Sequence, residues 1–77
     1  MAKVIIYSTP TCGYCKMAKA YFEENNVKYE DKNVAEDEAL QQEMIKKSGQ
    51  MGTPVIDIDG TIIVGFDQPK VAAALGL

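Results

Sequence analysis

The side chains with the most distinctive chemistry in this sequence are two cysteines separated by two residues. Cys12 and Cys15 lie in the segment STPTCGYCKMAKAYF, where a run of strand-forming apolar residues gives way to a helical pattern. The 77-residue chain contains no histidine, which excludes Cys/His and Ser/His/Asp catalytic arrangements. The two thiols could therefore form a stabilising disulfide, half of a metal site or a redox centre.

The spacing of the two thiols favours redox chemistry. A disulfide between Cys12 and Cys15 closes almost no loop in the unfolded chain and so adds little stability. A tetrahedral zinc site needs about four ligands, whereas this chain offers two cysteines and no histidine. We therefore predict no metal site within the chain. Positions i and i+3 at a helix start fall within the Cα separation of about 4.4–6.8 Å that a disulfide requires.

We predict that Cys12 is the attacking thiol and that Cys15 resolves the mixed disulfide. Cys12 falls at the start of a predicted helix, where unpaired N–H groups and the helix dipole favour a thiolate. Lowering a thiol pKa from about 8.5 to about 5 requires roughly 4.8 kcal/mol, and the dipole supplies at most about 2 kcal/mol. The further donors we expect are the backbone near Tyr14, the Cys15 thiol, and the ammonium groups of Lys16 or Lys19.

The hydrophobic pattern predicts one α/β domain over residues 1–77 with the element order β-α-β-α-β-β-α. The first two strands should pair in parallel, and an Asp-Gly pair at 59–60 predicts a tight hairpin beside them. The predicted strands cover 3–8, 27–34, 54–58 and 61–64, and the predicted helices cover 13–25, 36–48 and 68–75.

Charge and hydropathy exclude several classes of partner. Eight lysines and eleven carboxylates give a net charge of −3, without the basic stripe that nucleic-acid binding needs. The longest apolar runs are far shorter than the roughly 20 residues that span a bilayer. We expect no nucleic-acid partner and no membrane partner. We expect the protein to be a cytoplasmic monomer.

Three motifs together resemble the glutaredoxin family over essentially the whole chain. They are Cys12-Gly13-Tyr14-Cys15 after a strand, Thr53-Pro54 before the hairpin, and Gly65-Phe66-Asp67 before the last helix. The resemblance implies a thioredoxin fold, in which helices flank a four-stranded mixed sheet. It also implies a thiol-disulfide oxidoreductase that uses glutathione as co-substrate to reduce disulfide-bonded or glutathionylated proteins.

The resemblance assigns roles to individual residues. Cys12 becomes the nucleophile, Cys15 the resolving thiol, and Tyr14 a wall of the glutathione groove. The backbone of Thr53 would bind the cysteinyl unit of glutathione like an added strand, and Pro54 would follow a cis peptide bond.

The γ-glutamyl end of the implied groove departs from the family pattern. Its residues would be Gly65, Phe66, Asp67 and Gln68. Val64 stands where the family usually has a first glycine, and Gln68 where a second acid is common. Thr9 replaces a lysine that is frequent three residues before the nucleophile.

Two alternatives accompany this interpretation. The Gly65-Phe66 pair also resembles redoxins that thioredoxin reductase reduces and that donate electrons to ribonucleotide reductase. A small residue after the first cysteine, here Gly13, is also typical of glutaredoxins that bridge a 2Fe-2S cluster between two chains with glutathione.

Several other side chains receive structural interpretations. Asp57 alternates with isoleucines, so we expect an exposed strand position rather than a buried proton relay beneath the thiols. Met51 is expected to pack, and Phe66 to face the substrate. The predicted core fillers are Tyr7, Met17, Tyr21, Phe22, Tyr29 and Met44.

Overall fold

A computed structural model describes residues 3–77 and contains the seven predicted elements in the predicted order. The strands are β1 (Val4–Ser8), β2 (Glu30–Asn33), β3 (Val55–Ile58) and β4 (Thr61–Val64), and the helices are α1 (Gly13–Glu24), α2 (Glu38–Ser48) and α3 (Gln68–Leu75).

The four strands form one mixed sheet in the order β2-β1-β3-β4. β1 pairs in parallel with β2, with Ile5 opposite Glu30, and β3 is antiparallel to both β1 and β4. Asp59 and Gly60 join β3 to β4 with φ angles of 50° and 92°. Positive φ at both central residues is the type I′ geometry that matches the twist of a hairpin. The sheet is the four-stranded mixed sheet of the predicted thioredoxin fold.

One face of the sheet packs against α1 and α3 through apolar side chains, and we call this the α1 face. Phe22 of α1 and Val71 of α3 are fully buried there, together with alternate residues of the central strands. Its buried members are Val4, Ile6, Ala18, Phe22, Ile56, Ile58, Ile63 and Val71. Alternate strand residues point to the same face of a sheet, which explains the even-numbered series in β1 and β3.

The other face packs against α2 and is smaller and more polar; we call it the α2 face. Its buried apolar members are Ile5, Tyr7, Val34, Met44 and Val55. Polar groups of α2 complete it. The Tyr7 hydroxyl donates a hydrogen bond to Glu43, which also accepts one from Lys32 at 3.0 Å. Lys47 donates to Asp57 at 2.9 Å.

The contacts on the α2 face shift the titration of its members. The hydrogen bond from Tyr7 lowers the pKa of Glu43, and the bond from Lys32 lowers it further. Burial acts to raise the pKa of Asp57, but the bonds from Lys47 and from the Gly60 N–H outweigh it, so the pKa is lowered. Hydrogen bonds with Tyr7 and Asp57 raise the pKa of Lys47. The acids and the lysines of this face are therefore held in their charged forms.

Two predicted elements are longer than those observed by two residues or more, and the other differences are of at most one residue. β2 begins at Glu30 rather than at residue 27, because the Val27 N–H bonds to the Phe22 carbonyl at 2.8 Å and ends α1 instead of joining the sheet. α2 begins at Glu38 rather than at residue 36, because the Asp37 carboxylate caps the helix by accepting the N–H groups of Ala39 and Leu40.

Three side-chain predictions are wrong. Asp57 is 9% exposed because β3 is a central strand covered on both faces, and Lys47 from α2 supplies its counter-charge. Met17 is 54% exposed because it lies on the solvent side of α1, away from Ala18 and Phe22. Met51 is 71% exposed in the loop before the cis proline. Tyr7, Phe22 and Met44 are buried as predicted, and Tyr21 and Tyr29 are half-buried against the α1 face.

Within residues 3–77, the longest helix is too short and too polar to cross a bilayer.

Candidate active site

The two cysteines form a disulfide at the N-terminus of α1. Their Cα atoms are 5.2 Å apart, inside the predicted window. Cys12 is the N-cap residue, and its Sγ accepts a hydrogen bond from the Cys15 N–H at 3.1 Å. Cys15 is fully buried, whereas Cys12 is partly exposed. Cys12 is therefore the sulfur that a substrate can reach, and a backbone donor already points at it.

A short turn between β1 and α1 positions Cys12. The Cys12 N–H bonds to the Thr9 carbonyl at 3.3 Å, and the Cys12 carbonyl accepts the Lys16 N–H at 3.3 Å to begin the helix. Pro10 lies within this turn, where its fixed φ favours a change of direction. The buried central strand β1 therefore places the attacking sulfur just beyond the C-terminal end of the strand.

The two lysines predicted to tune Cys12 have different positions. Lys19 forms an ion pair with Asp31 of β2 at 2.6 Å, and Asp31 also accepts a hydrogen bond from the buried Ser8 hydroxyl at 2.5 Å. The ammonium of Lys19 is thus held at the β2 edge. Lys16 lies on the exposed side of α1. The role of either lysine at Cys12 stays a prediction.

The Thr53-Pro54 segment is linked to Cys12 through Thr9: Thr53 and Thr9 line the same pocket, and the Thr9 carbonyl accepts the Cys12 N–H. The bond between the two residues is cis, as predicted. Pro54 is buried, and its carbonyl accepts the Gly65 N–H at 2.8 Å, which brings the second and third motifs together. Within residues 3–77, neither the N–H nor the C=O of Thr53 takes part in a hydrogen bond. Thr53 therefore presents a donor and an acceptor that an extended ligand can use.

The third motif joins β4 to α3. Asp67 caps α3 by accepting the Lys70 N–H at 3.3 Å, and Gln68 is the exposed first residue of that helix. Phe66 is half-buried and its ring lies 5.7 Å from that of Tyr21, so it packs on the core, and its role toward a substrate stays a prediction. Tyr14 is 65% exposed and follows Cys12 by two positions.

Asp57 lies apart from the thiols. It faces α2, whereas Cys15 is on α1 on the opposite side of the sheet. The proton-relay interpretation of Asp57 therefore has no support.

A pocket lined by Thr9 and Thr53 was missed by sequence reasoning. It has a volume of about 260 Å³ and lies between the β1–α1 turn, α2 and the loop before Pro54. Its walls include Thr9, Val34, Met44, Ile45, Met51 and Thr53. Met51 could have indicated this pocket. It is a large apolar residue between two glycines, and it lies outside every predicted helix and strand.

The arrangement supports thiol-disulfide exchange. No observation supports the iron-sulfur alternative: within the described part of the chain, no group of three or more potential ligating side chains could hold a metal ion, so a cluster would need ligands from a second chain and from glutathione. A reactive sulfur at a helix N-terminus, with a second sulfur one turn deeper, can form and resolve mixed disulfides.

Comparisons with known proteins agree with this chemistry. The family model described as Glutaredoxin matches residues 4–63. The chain is 50% identical over 66 residues to an uncharacterized glutaredoxin-like 8.6 kDa protein in the rubredoxin operon of Clostridium pasteurianum, covering 86% of this chain and 88% of that one. It is 40% identical to Glutaredoxin 3 of Escherichia coli K12 over 76 residues, or 99% and 92% of the two chains.

A solved structure with a similar sequence has the same fold. A mutant of the thioredoxin-like protein BC3987 superposes with a TM-score of 0.91 at 32% identity, covering 99% of this chain and 97% of that one.

The fold and the helix-capping disulfide define a thiol-disulfide oxidoreductase of the thioredoxin superfamily. Within that class, the chain belongs to the glutaredoxin family.

Proposed function

We propose that the protein uses glutathione as its electron donor to reduce disulfide-bonded or glutathionylated proteins. The observation that carries this proposal is the unpaired backbone of Thr53, which lines a pocket together with Thr9, the residue whose carbonyl accepts the Cys12 N–H. The cysteinyl unit of glutathione has one N–H and one C=O, and pairing it with Thr53 as an added strand brings its sulfur toward Cys12.

The reaction is a pair of disulfide exchanges. The Cys12 thiolate attacks one sulfur of the substrate disulfide, and the electron pair of the broken S–S bond leaves on the other sulfur. The mixed disulfide on Cys12 is then released by glutathione or by Cys15, which regenerates the dithiol or forms the internal disulfide. The N–H of Cys15, 3.1 Å from Cys12 Sγ, stabilises negative charge on Cys12 and makes it a good leaving group in the second step.

The γ-glutamyl end of glutathione would lie at the start of α3. Its α-carboxylate fits the positive end of the helix dipole near Gln68, and its ammonium group fits the Asp67 carboxylate. Gly65, whose φ is 79°, turns the chain from β4 toward this helix and leaves the groove open.

Coupled assays with a glutathionylated peptide test the proposal. Turnover is followed through NADPH consumption with glutathione and glutathione reductase, or with thioredoxin reductase. Cys12→Ser is expected to remove turnover, because the attacking sulfur is lost. Cys15→Ala is expected to retain it with glutathione, because a second glutathione can release the mixed disulfide. Absence of glutathione-dependent turnover in the unaltered protein contradicts the proposal.

A second candidate is reduction by thioredoxin reductase and donation to ribonucleotide reductase. Thr9, Val64 and Gln68 favour it, since each replaces a residue that the family commonly uses for glutathione. This route needs both thiols, because the reductase must reduce the internal disulfide. Activity with thioredoxin reductase that disappears in Cys15→Ala, without any glutathione-dependent activity, supports the second candidate over the first.

A further inference from the structure

The pocket lined by Thr9 and Thr53 has the size and lining of a site for an apolar side chain. Its volume is about 260 Å³, and none of its lining residues carries a charge. Apolar cavities of about 150 Å³ suffice to bind benzene. The pocket is therefore large enough for one side chain of the size of leucine or phenylalanine, and it offers no cation to a carboxylate.

The position of the pocket connects it to the reacting sulfur. Thr9 and Thr53 both line it, and the Thr9 carbonyl accepts the Cys12 N–H. Cys12 begins α1, on one side of the sheet, whereas the pocket is bounded by Met44 and Ile45 of α2, on the other. Thr53, whose backbone is unpaired, lines the pocket and precedes β3, a central strand of the sheet that separates α1 from α2.

A polypeptide paired with Thr53 would direct side chains both toward Cys12, on the α1 side of the sheet, and toward the pocket, on the α2 side. Successive side chains of an extended strand point in opposite directions. A substrate whose half-cystine points to Cys12 therefore directs the adjacent side chain toward the pocket. Met51 lines the pocket and is 71% exposed, so part of its apolar surface would be removed from water when that side chain binds.

We propose that the pocket selects protein substrates that carry a bulky aliphatic or aromatic residue next to the reactive cysteine. This inference rests on the strand pairing at Thr53 in the proposed function, and it adds the class of substrate. Glutathione has glycine at the position after its cysteine, so it leaves the pocket empty, whereas a polypeptide can fill it.

The test measures single turnovers of the reduced protein without glutathione or any reductase. The substrates are short peptides whose cysteine forms a mixed disulfide with 5-thio-2-nitrobenzoate, with leucine, serine or aspartate beside the cysteine. Cys12 bonds to the peptide sulfur, and the chromophoric thiolate leaves with the electron pair. Cys15 then forms the internal disulfide, and the peptide thiol takes up the proton. The rate constant is read from the absorbance of the released thiolate.

We expect the leucine peptide to react about 10- to 100-fold faster than the serine peptide, as burial of one leucine side chain allows. The aspartate peptide should be the slowest, because its charge would be desolvated without a partner.

A pocket-filling variant and a matched control complete the design. Ala35 is exposed and lines the pocket, so Ala35→Trp should fill it and reduce the leucine-to-serine ratio to near 1. Ala73→Trp places the same side chain at an exposed position on α3, on the other face of the sheet, and should leave the ratio unchanged. Chromophore release from the serine peptide that stays well above the rate with free cysteine shows that the redox centre is intact in both variants.

The outcomes separate this inference from the function on which it rests. Equal rates for leucine and serine peptides, a preference for aspartate, or a leucine preference that survives Ala35→Trp would overturn the pocket assignment. Chromophore release no faster than with free cysteine for every peptide would instead overturn the exchange chemistry itself.

Discussion

The two faces of the sheet are built by different physical means. On the α1 face, which carries the disulfide, eight buried apolar residues pack without a charged partner among them. On the α2 face, a smaller apolar cluster is completed by Tyr7, Glu43, Lys32, Lys47 and Asp57. Dispersion and burial hold α1 in place, whereas hydrogen bonds to charged groups hold much of α2.

This difference suits the chemistry. The helix that carries Cys12 must keep the same position in the oxidised and reduced protein, and a close-packed apolar interface provides that constancy. α2 only has to cover the sheet and border the pocket, and its ionic contacts make it sensitive to pH. Substitutions on the two faces test this contrast.

Removing a large side chain from the α1 face should have the largest effect on stability. Phe22→Ala is expected to lower the free energy of unfolding by about 3–5 kcal/mol, because Phe22 is fully buried and its loss leaves a cavity. Met17→Ala in the same helix is the control and should cost less than about 1 kcal/mol, since Met17 is 54% exposed. Denaturant unfolding measures both. Similar losses for the two variants would contradict the assignment of the core.

Breaking the ion pair on the α2 face should have an intermediate effect. Lys47→Met is expected to cost about 1–3 kcal/mol, because Asp57 would lose a charged hydrogen-bond donor while remaining buried. Lys46→Met is the matched control, since the neighbouring lysine is exposed, and its effect should stay within about 0.5 kcal/mol. Equal stability of the two variants would show that the pair is not important for the packing of α2.

Acid should weaken the α2 face selectively. The pKa of Asp57 in the folded protein is lower than in the unfolded chain, so its contribution is present above the unfolded value of about 3.9. That contribution is lost as the pH falls through the folded pKa. Asp57→Asn should therefore flatten the decline of unfolding free energy below about pH 4. Phe22→Ala should lower stability without changing that slope, and an unaltered slope in Asp57→Asn would argue against the pair.

Lys19 should have the smallest effect. Its ion pair with Asp31 is partly exposed, so Lys19→Met is expected to cost less than about 1 kcal/mol. Because the ammonium is held at Asp31, we also expect the alkylation rate of Cys12 to change less than about twofold. A tenfold fall in that rate, with Lys16→Met as the comparison, would instead support Lys19 as a residue that tunes Cys12.

The sequence predicted the order and pairing of the elements because the signals are local. Alternation of apolar residues, the Asp-Gly turn and the acidic and basic ends of α2 each fall within a few neighbouring positions. The cis bond at Pro54 has no local signal of that strength and was predicted from the family resemblance alone.

The errors arise where tertiary contacts decide. The burial of Asp57 depends on Lys47, ten positions earlier in α2, and the exposure of Met17 depends on which side of α1 meets the sheet. The pocket next to Thr53 combines residues from four segments of the chain, so no single stretch of sequence indicates it. The motifs located the reacting sulfurs, but not the surface that receives the substrate.

The central claim is that the N-terminus of α1 stabilises a thiolate on Cys12 and not on Cys15. Thiolate absorbance of the reduced protein, titrated with pH in Cys12→Ala and Cys15→Ala, tests it directly. We predict that the thiol of Cys12, measured in Cys15→Ala, titrates well below the pKa of about 8.5 of free cysteine, and that the buried Cys15 titrates above Cys12. Two thiols that both titrate like free cysteine, or a Cys15 more acidic than Cys12, would contradict the account.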